Sequence, residues 1–81
     1  MTAALKRLRW QCRRGVKELD VVLYAYLERD YAKASTLEQQ LFVELLAFED
    51  DRLLAYFFSG DLPESDELRT LVRKIRTAFV A

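Results

Sequence analysis

The chain has 81 residues with 13 basic and 13 acidic side chains, so its formal net charge is zero. This length corresponds to one domain, and such a domain buries only roughly 60–65% of the surface that its unfolded chain exposes, which leaves little room for an enclosed active site. The apolar content of 52% argues against an intrinsically disordered chain. We therefore expect one folded domain that spans residues 1–81.

The charges are distributed unevenly along the chain. Residues 1–17 carry six basic and no acidic side chains, residues 18–67 carry all 13 acidic ones, and the remaining residues carry four basic ones. The basic ends can neutralise the acidic middle inside the fold, or they can steer the protein toward a charged partner. The sequence leaves both interpretations open.

The first two predicted elements are helices, because apolar residues recur at steps of three and four. Leu5, Leu8 and Cys12 indicate a short first helix. A second helix is predicted from about Gly15 to Tyr31. Val22 lies outside its apolar stripe, so we expect more than one side of this helix to be covered. The stripe itself consists of Val16, Leu19, Leu23, Tyr26 and Leu27.

The third and fourth predicted helices begin with recognisable caps. Ser35 is a good N-cap and Glu38 follows three residues later, which is a capping box. Asp50 or Asp51 is predicted to cap the short fourth helix, which ends at Gly60 as its C′ residue. The apolar stripe of the third helix is predicted to be Leu37, Leu41, Leu45 and Phe48, with Phe42 and Leu46 beside it.

A fifth helix follows the loop from Ser59 to Pro63, with Ser65 or Asp66 as its cap. No segment has the alternating pattern of a strand. The predicted fold is therefore all-α: a small antiparallel bundle of about five helices with short connections. The inner face of the fifth helix is predicted to be Leu68, Leu71, Val72, Ile75 and Phe79.

The residue content argues against catalysis. The chain has no histidine, which removes the commonest general base and metal ligand, and Cys12 alone supplies neither a zinc site nor a disulfide. The acidic run Glu49–Asp51 lacks the alternating ligands and the glycine of a calcium loop. No apolar run approaches the ~20 residues of a membrane span. We expect a binding protein without metal or cofactor of its own.

One local group of residues has no obvious stabilising role. Arg14 and Glu18 share one side of a helix if the helix covers both, but an exposed pair contributes only a few tenths of a kcal/mol. Gly15 between them would cost helix stability. Either Gly15 forms a turn between the first two helices, or the bare patch lets a partner approach an Arg fork and a carboxylate.

The same stretch carries a family resemblance. The segment WQCRRGVKELD, residues 10–20, resembles the signature region of the SdhE family of flavinylation factors, whose hallmark is Arg-Gly-x-x-Glu. The segment STLEQQLFVELLAFEDDRLLAYFFSGD is similar to that family's second motif region, and the resemblance spans about residues 6–75. The chain departs from the family at Asp51, where a proline is usual, at Tyr56, where a tryptophan is usual, and at Gly60, which comes one residue early.

The resemblance implies a five-helix bundle that binds the flavoprotein subunit of succinate dehydrogenase, or in some bacteria of fumarate reductase. Binding would promote covalent attachment of FAD to a histidine of that subunit, so the FAD would belong to the partner. Arg14, Gly15 and Glu18 would form the contact surface. Apart from the resemblance, the basic N-terminus is too short for a full transit peptide, so we expect a bacterial cytoplasmic protein, with a processed mitochondrial form as the alternative. We expect the free chain to be a monomer. Aromatic and arginine residues are common interface anchors, so the contact surface would also include Trp10, Arg9 and Arg13.

Two other classes of function remain open. The basic segment from Arg9 to Arg14 surrounds Trp10, an arrangement that suits a nucleic-acid-associated regulator, although the pI of about 6.2 is low for such a protein. A helical protein that self-associates or docks on a membrane protein would use an exposed aromatic strip, and the candidates are Tyr56, Phe57 and Phe58. Burial of that strip in the core is the competing expectation.

Overall fold

Five α-helices make up most of the protein, whose computed structural model describes residues 3–80. No strand occurs within that range, so the predicted all-α class and the five helices are confirmed. None of these helices combines the length and the apolar content that a bilayer span requires. A 3₁₀ turn, Tyr31–Lys33, follows the second helix. The helices are α1 (Ala3–Gln11), α2 (Lys17–Arg29), α3 (Thr36–Leu46), α4 (Asp50–Phe58) and α5 (Asp66–Phe79).

The last helix organises the packing, because α5 contacts α2, α3 and α4. Its inner face is buried as its sequence predicts, while Phe79 at its end is half-buried. Four residues at helical spacing provide this face, namely Leu68, Leu71, Val72 and Ile75. The spacing places an apolar stripe along the helix, and its burial removes that stripe from water.

Aromatic rings fill the space between α2 and α3. Tyr26 and Phe42 are fully buried with their ring centroids 4.5 Å apart, and Tyr31 packs 5.7 Å from Phe42. Val22 is buried as well, although it lies off the main stripe of α2. The prediction that α2 is covered on more than one side is therefore confirmed.

Several helix ends form as the sequence predicts. The Ser35 side chain accepts a hydrogen bond from the Glu38 backbone N–H at 3.1 Å, and Ser65 accepts one from Leu68 N–H at 3.3 Å. Gly60 adopts φ +84° directly after Ser59, the C-cap of α4. This left-handed conformation favours glycine and ends the helix.

Two predicted helix starts are wrong. The second helix begins at Lys17 rather than at Gly15, because Val16 is extended and serves as the N-cap. The fourth helix has Glu49 as its N-cap, with no side-chain cap bond, and Asp50 and Asp51 lie in its first turn. Acidic side chains in the first turn still interact favourably with the positive helix end. The acidic residues therefore indicated where α4 starts, but its N-cap lies one or two residues before the predicted one.

The buried stripe of α3 also differs from the prediction. Leu37 is exposed, whereas Phe42, Leu45 and Leu46 are buried. The predicted stripe and the observed one share Leu45 and are rotated about the helix axis relative to each other, since each residue advances about 100°. Only the position of the neighbouring helices decides between them. Leu37 lies on the rim of a shallow groove between α3 and α5.

One ionic network joins three helices. The Glu38 carboxylate of α3 accepts hydrogen bonds from the Tyr26 hydroxyl of α2 at 2.6 Å and from Lys74 Nζ of α5 at 2.9 and 3.0 Å. Burial raises the pKa of Glu38, but the hydrogen bonds from Tyr26 and Lys74 and the positive charge of Lys74 together lower it by more, so the pKa lies below its ordinary value of 4.5.

We expect the stability of the fold to fall in acid partly through this carboxyl group. Because its pKa is lowered on folding, Glu38 contributes stability that is present above pH 4.5 and lost as the pH falls through the folded pKa. Urea denaturation at a series of pH values should show the free energy of unfolding decreasing more steeply in the wild type than in Glu38→Gln. The exposed residue Glu44 on the same helix provides the control Glu44→Gln. An identical pH dependence in all three proteins would contradict this assignment.

Candidate partner-binding site

The predicted site lies at the turn between α1 and α2. Gly15 is exposed there with φ +84°, and a Cβ atom at this position would meet no atom within 4 Å. The backbone conformation, rather than crowding, therefore requires glycine. The backbone N–H of Arg14 donates to Asp20 Oδ1 at 2.7 Å, which ties the turn to the first part of α2. The turn that the sequence suggested for Gly15 is confirmed.

The side chain of Arg14 points into the molecule from this turn. Its Nε donates to Asp50 Oδ1 at 2.8 Å, and its Nη2 donates to the carbonyl of Phe48 at 2.6 Å. Its Nη1 donates to the carbonyls of Leu46 at 2.8 Å and Gln11 at 3.2 Å. Four of the five N–H groups of a guanidinium are thus used within the fold, and the side chain is only 17% exposed.

The acceptors explain why an arginine is suited to this position. Gln11 is the last residue of α1 and Leu46 is the last residue of α3, so their carbonyls belong to helix ends that lack intrahelical partners. A cation at these negative ends is favourable, and a planar fork reaches several acceptors at once. Arg14 therefore joins the ends of α1 and α3 to Asp50 at the start of α4.

Glu18 faces a different surface from Arg14. Because α2 begins only at Lys17, Arg14 and Glu18 do not share a helix face. Glu18 is exposed in the first turn of α2, where it lines a groove of about 520 Å³ together with Val21 and Phe58. The Arg-Gly-x-x-Glu motif thus divides into an inward-facing arginine and an exposed glycine and glutamate.

The other three predicted site residues lie together on α1 and just after it. Trp10 is 71% exposed, and the guanidinium of Arg13 lies 6.0 Å from its ring centroid. Arg9 forms an ion pair with Glu28 of α2. These three side chains share a shallow pocket of about 240 Å³ with Tyr24 and one more residue, Lys6. Arg14, Gly15 and Glu18 are not among the residues that line it.

Three residues of this region were not predicted as site residues from the sequence. Asp20 and Asp50 hold the backbone and the side chain of Arg14, and Tyr24 lines the pocket beside Trp10. Asp20 follows the predicted turn by a few residues, and acidic residues early in a helix often reach back to free N–H groups. That pattern was a usable signal. The contact with Asp50, 36 positions away, has no local signal.

The chemistry available at this site is binding. Cys12, directly after α1, is fully buried, and burial raises the pKa of its thiol to about 12. The thiol is therefore protonated at neutral pH and is a poor nucleophile. Between residues 3 and 80, no group of three or more metal-ligating side chains is placed to hold a metal ion. The turn exposes a bare backbone at Gly15 and the carboxylate of Glu18, and the basic aromatic pocket lies beside it along α1.

We expect Arg14 to be important for stability. Arg14→Ala should lower the free energy of unfolding by about 2 kcal/mol or more, because hydrogen bonds to a charged group are lost and Asp50 loses its partner. Arg14→Lys should recover only part of this loss, since a lysine lacks the planar fork. Chemical denaturation measures both values.

Arg13→Ala is the matched control, because the Arg13 side chain is exposed and packs against the ring of Trp10 without the internal hydrogen bonds that Arg14 makes. Its free energy of unfolding should change by about 0.5 kcal/mol or less. Equal losses in Arg13→Ala and Arg14→Ala would contradict the internal role of Arg14.

Comparison with known proteins agrees with the resemblance seen in the sequence. Residues 6–79 match the family model described as the flavinator of succinate dehydrogenase. The FAD assembly factor SdhE of Psychrobacter arcticus is 42% identical over 72 residues, which are 89% of this chain and 77% of that relative. The protein of the same name from Coxiella burnetii is 36% identical over 73 residues, which are 90% of this chain and 89% of that relative. The one from Colwellia psychrerythraea is 39% identical over 69 residues, which are 85% of this chain and 76% of that relative. These relatives are named for assembly rather than for a catalysed reaction, and the chain belongs to the family of succinate dehydrogenase flavinators.

Proposed function

We propose that this protein binds the flavoprotein subunit of succinate dehydrogenase and promotes the covalent attachment of FAD to a histidine of that subunit. The related subunit of fumarate reductase is a second partner of the same kind. The observation that carries the proposal is the exposed turn at Gly15 and Glu18, which belongs to an intact Arg-Gly-x-x-Glu motif.

The attachment chemistry is assigned to the partner. The chain has no histidine, and its one cysteine is buried and protonated, so it lacks the usual groups for proton transfer or nucleophilic attack. Its contribution in this proposal is to hold the flavoprotein in a conformation in which the partner's own histidine and FAD react. Positioning of this kind lowers a reaction barrier without adding a catalytic group.

The residues of the turn take different roles in the proposed contact. Gly15 lets the partner backbone approach closely, and Glu18 accepts hydrogen bonds from partner donors. Arg14 keeps one N–H for the partner and otherwise holds the turn in place through its internal bonds. The contact is enlarged by the basic aromatic pocket, which contributes Trp10, Arg9 and Arg13.

The proposal extends to the state and the place of the free protein. We propose a monomer that carries no cofactor of its own, since the FAD belongs to the flavoprotein. We also propose a location in the bacterial cytoplasm; the three relatives come from bacteria, which supports the bacterial part of this proposal.

Co-expression with a succinate dehydrogenase flavoprotein subunit tests the proposal, in a host that lacks its own assembly factor. In-gel fluorescence of covalently bound flavin should require the wild-type chain and should disappear with Gly15→Arg. The matched control is Gly60→Arg, because both glycines have φ +84° and open surroundings. Both variants therefore carry a similar backbone strain of about 1–2 kcal/mol, and only one of them blocks the proposed contact.

The possible results separate the alternatives. Fluorescence that survives Gly15→Arg would keep the function and move the contact surface away from the turn. Flavin attachment that is indifferent to the wild-type chain, without co-purification, would refute the proposal. Salt-sensitive binding of DNA or RNA would then favour the nucleic-acid alternative.

A further inference from the structure

A second feature of the surface adjoins the proposed contact. The groove that Glu18 lines is bounded by the start of α2, the end of α4 and the end of α5, and two of its apolar residues are exposed to solvent. Val21 is 59% exposed and Phe58 is also exposed, while Phe79 and Val80 are half-buried. Large exposed apolar side chains that converge on one concave surface are typical of interaction sites.

The groove continues into a second concavity along α5. That neighbouring space of about 640 Å³ shares Phe58 and Val80 with the first and adds the side chains of Arg73 and Arg76. The two spaces therefore form one surface, here called the α2–α4–α5 groove, with an apolar floor and a basic rim. Lys17 contributes to the rim at the other end.

The basic rim is electrostatically unbalanced. Elsewhere, basic residues of the chain ends pair with acidic residues of the middle, as Arg14 does with Asp50 and Lys74 does with Glu38. Among residues 3–80, the basic residues of the rim form no such ion pair. Within the same range, Glu18 is the one acidic residue that lines the groove. The uncompensated rim residues are Lys17, Arg73 and Arg76.

These charges favour an acidic partner over a second copy of the chain. A two-fold dimer would place the same surface on both sides of the interface and would bring basic rim against basic rim. Like charges facing each other in an interface cost free energy, whereas an acidic partner would be attracted and oriented. The groove is also continuous with the proposed contact at Gly15, because Glu18 belongs to both.

We propose that the α2–α4–α5 groove binds an apolar segment of the flavoprotein subunit that is flanked by carboxylates. This inference rests on the proposed function and deepens it by naming a second contact region and the chemistry that it recognises. Val21 and Phe58 bury apolar surface of the partner, and the basic rim sets the orientation. The interface then extends from the α1–α2 turn across α2 to the end of α5.

Paired valine substitutions test the groove. Val21 on α2 and Val43 on α3 are both helical and exposed, at 59% and 45%, and Val43 lines none of the concave surfaces described above. Isothermal titration calorimetry with a purified flavoprotein subunit should show that Val21→Asp weakens binding at least about tenfold, a loss of about 1.4 kcal/mol. Val43→Asp should bind within about twofold of the wild type. Denaturation midpoints of the two variants check that they fold equally well.

A charge reversal gives a second readout of the same proposal. Arg73→Glu should weaken binding at low ionic strength, and the difference from the wild type should shrink as salt is added, because exposed charges are screened. Lys33→Glu is the control, since Lys33 is also exposed and lies on the 3₁₀ turn, outside the residues that line the groove.

Each contrary outcome has a distinct meaning. If the wild type binds and Val21→Asp binds equally well, the groove proposal is overturned while the proposed function stands. If the wild type does not bind the flavoprotein subunit, both are overturned. A wild type that dimerises through the groove, with Val21→Asp monomeric by analytical ultracentrifugation, would replace the named partner with a second copy and would also overturn the proposal.

Discussion

The guanidinium of Arg14 is the interaction on which the rest of the site depends. Its hydrogen bonds reach the last carbonyls of α1 and α3, the carbonyl of Phe48 and the carboxylate of Asp50 at the start of α4. Three helix ends therefore meet at one side chain. A domain of this size has a thin core, so a partly buried polar junction of this kind fixes the relative positions of elements that apolar packing alone would hold loosely.

This junction explains how one short motif can serve both the structure and the binding that we propose. Arg14 turns inward and fixes the α1–α2 connection, and the next residue, Gly15, takes the left-handed conformation that reverses the chain. Glu18 then emerges on the first turn of α2, where it borders an apolar groove with a basic rim. A rigid scaffold that presents a bare turn and a carboxylate suits a protein that positions another protein for chemistry of its own.

The charge pattern of the sequence has two consequences rather than one. Several residues of the basic ends pair with the acidic middle, as in the bridges from Arg9 to Glu28 and from Lys74 to Glu38, and these partly exposed pairs contribute modestly to stability. Other residues of the same ends, including Arg73, lack such pairs within the described part of the chain. Self-neutralisation and an attractive field toward an acidic partner are therefore compatible in one molecule.

Local patterns predicted much of the fold, because caps and amphipathic stripes are encoded by neighbouring residues. Ser35, Ser65 and Gly60 mark helix ends that form as expected, and the stripe of α5 is buried. Leu37 was misassigned, because two stripes on α3 were both plausible without knowledge of α5.

The site was less predictable than the fold. The resemblance located the motif, and a turn at Gly15 was one of the two interpretations that the sequence left open. The inward orientation of Arg14 depends on acceptors more than 30 positions away, and the exposure of Val21 and Phe58 depends on how three helices meet. Contacts of this kind depend on tertiary packing, so no local sequence pattern predicts them.

Glu18 provides the most direct test of whether the outward half of the motif contacts the flavoprotein, as we propose. Glu18 and Glu67 occupy the same position, two residues after the N-cap, in α2 and α5, so truncation of either should affect helix stability similarly. The decisive measurement is the dissociation constant for a succinate dehydrogenase flavoprotein subunit. We predict that Glu18→Ala weakens binding by about tenfold or more while Glu67→Ala leaves it unchanged. Equal affinities for the two variants would contradict a contact between Glu18 and the flavoprotein.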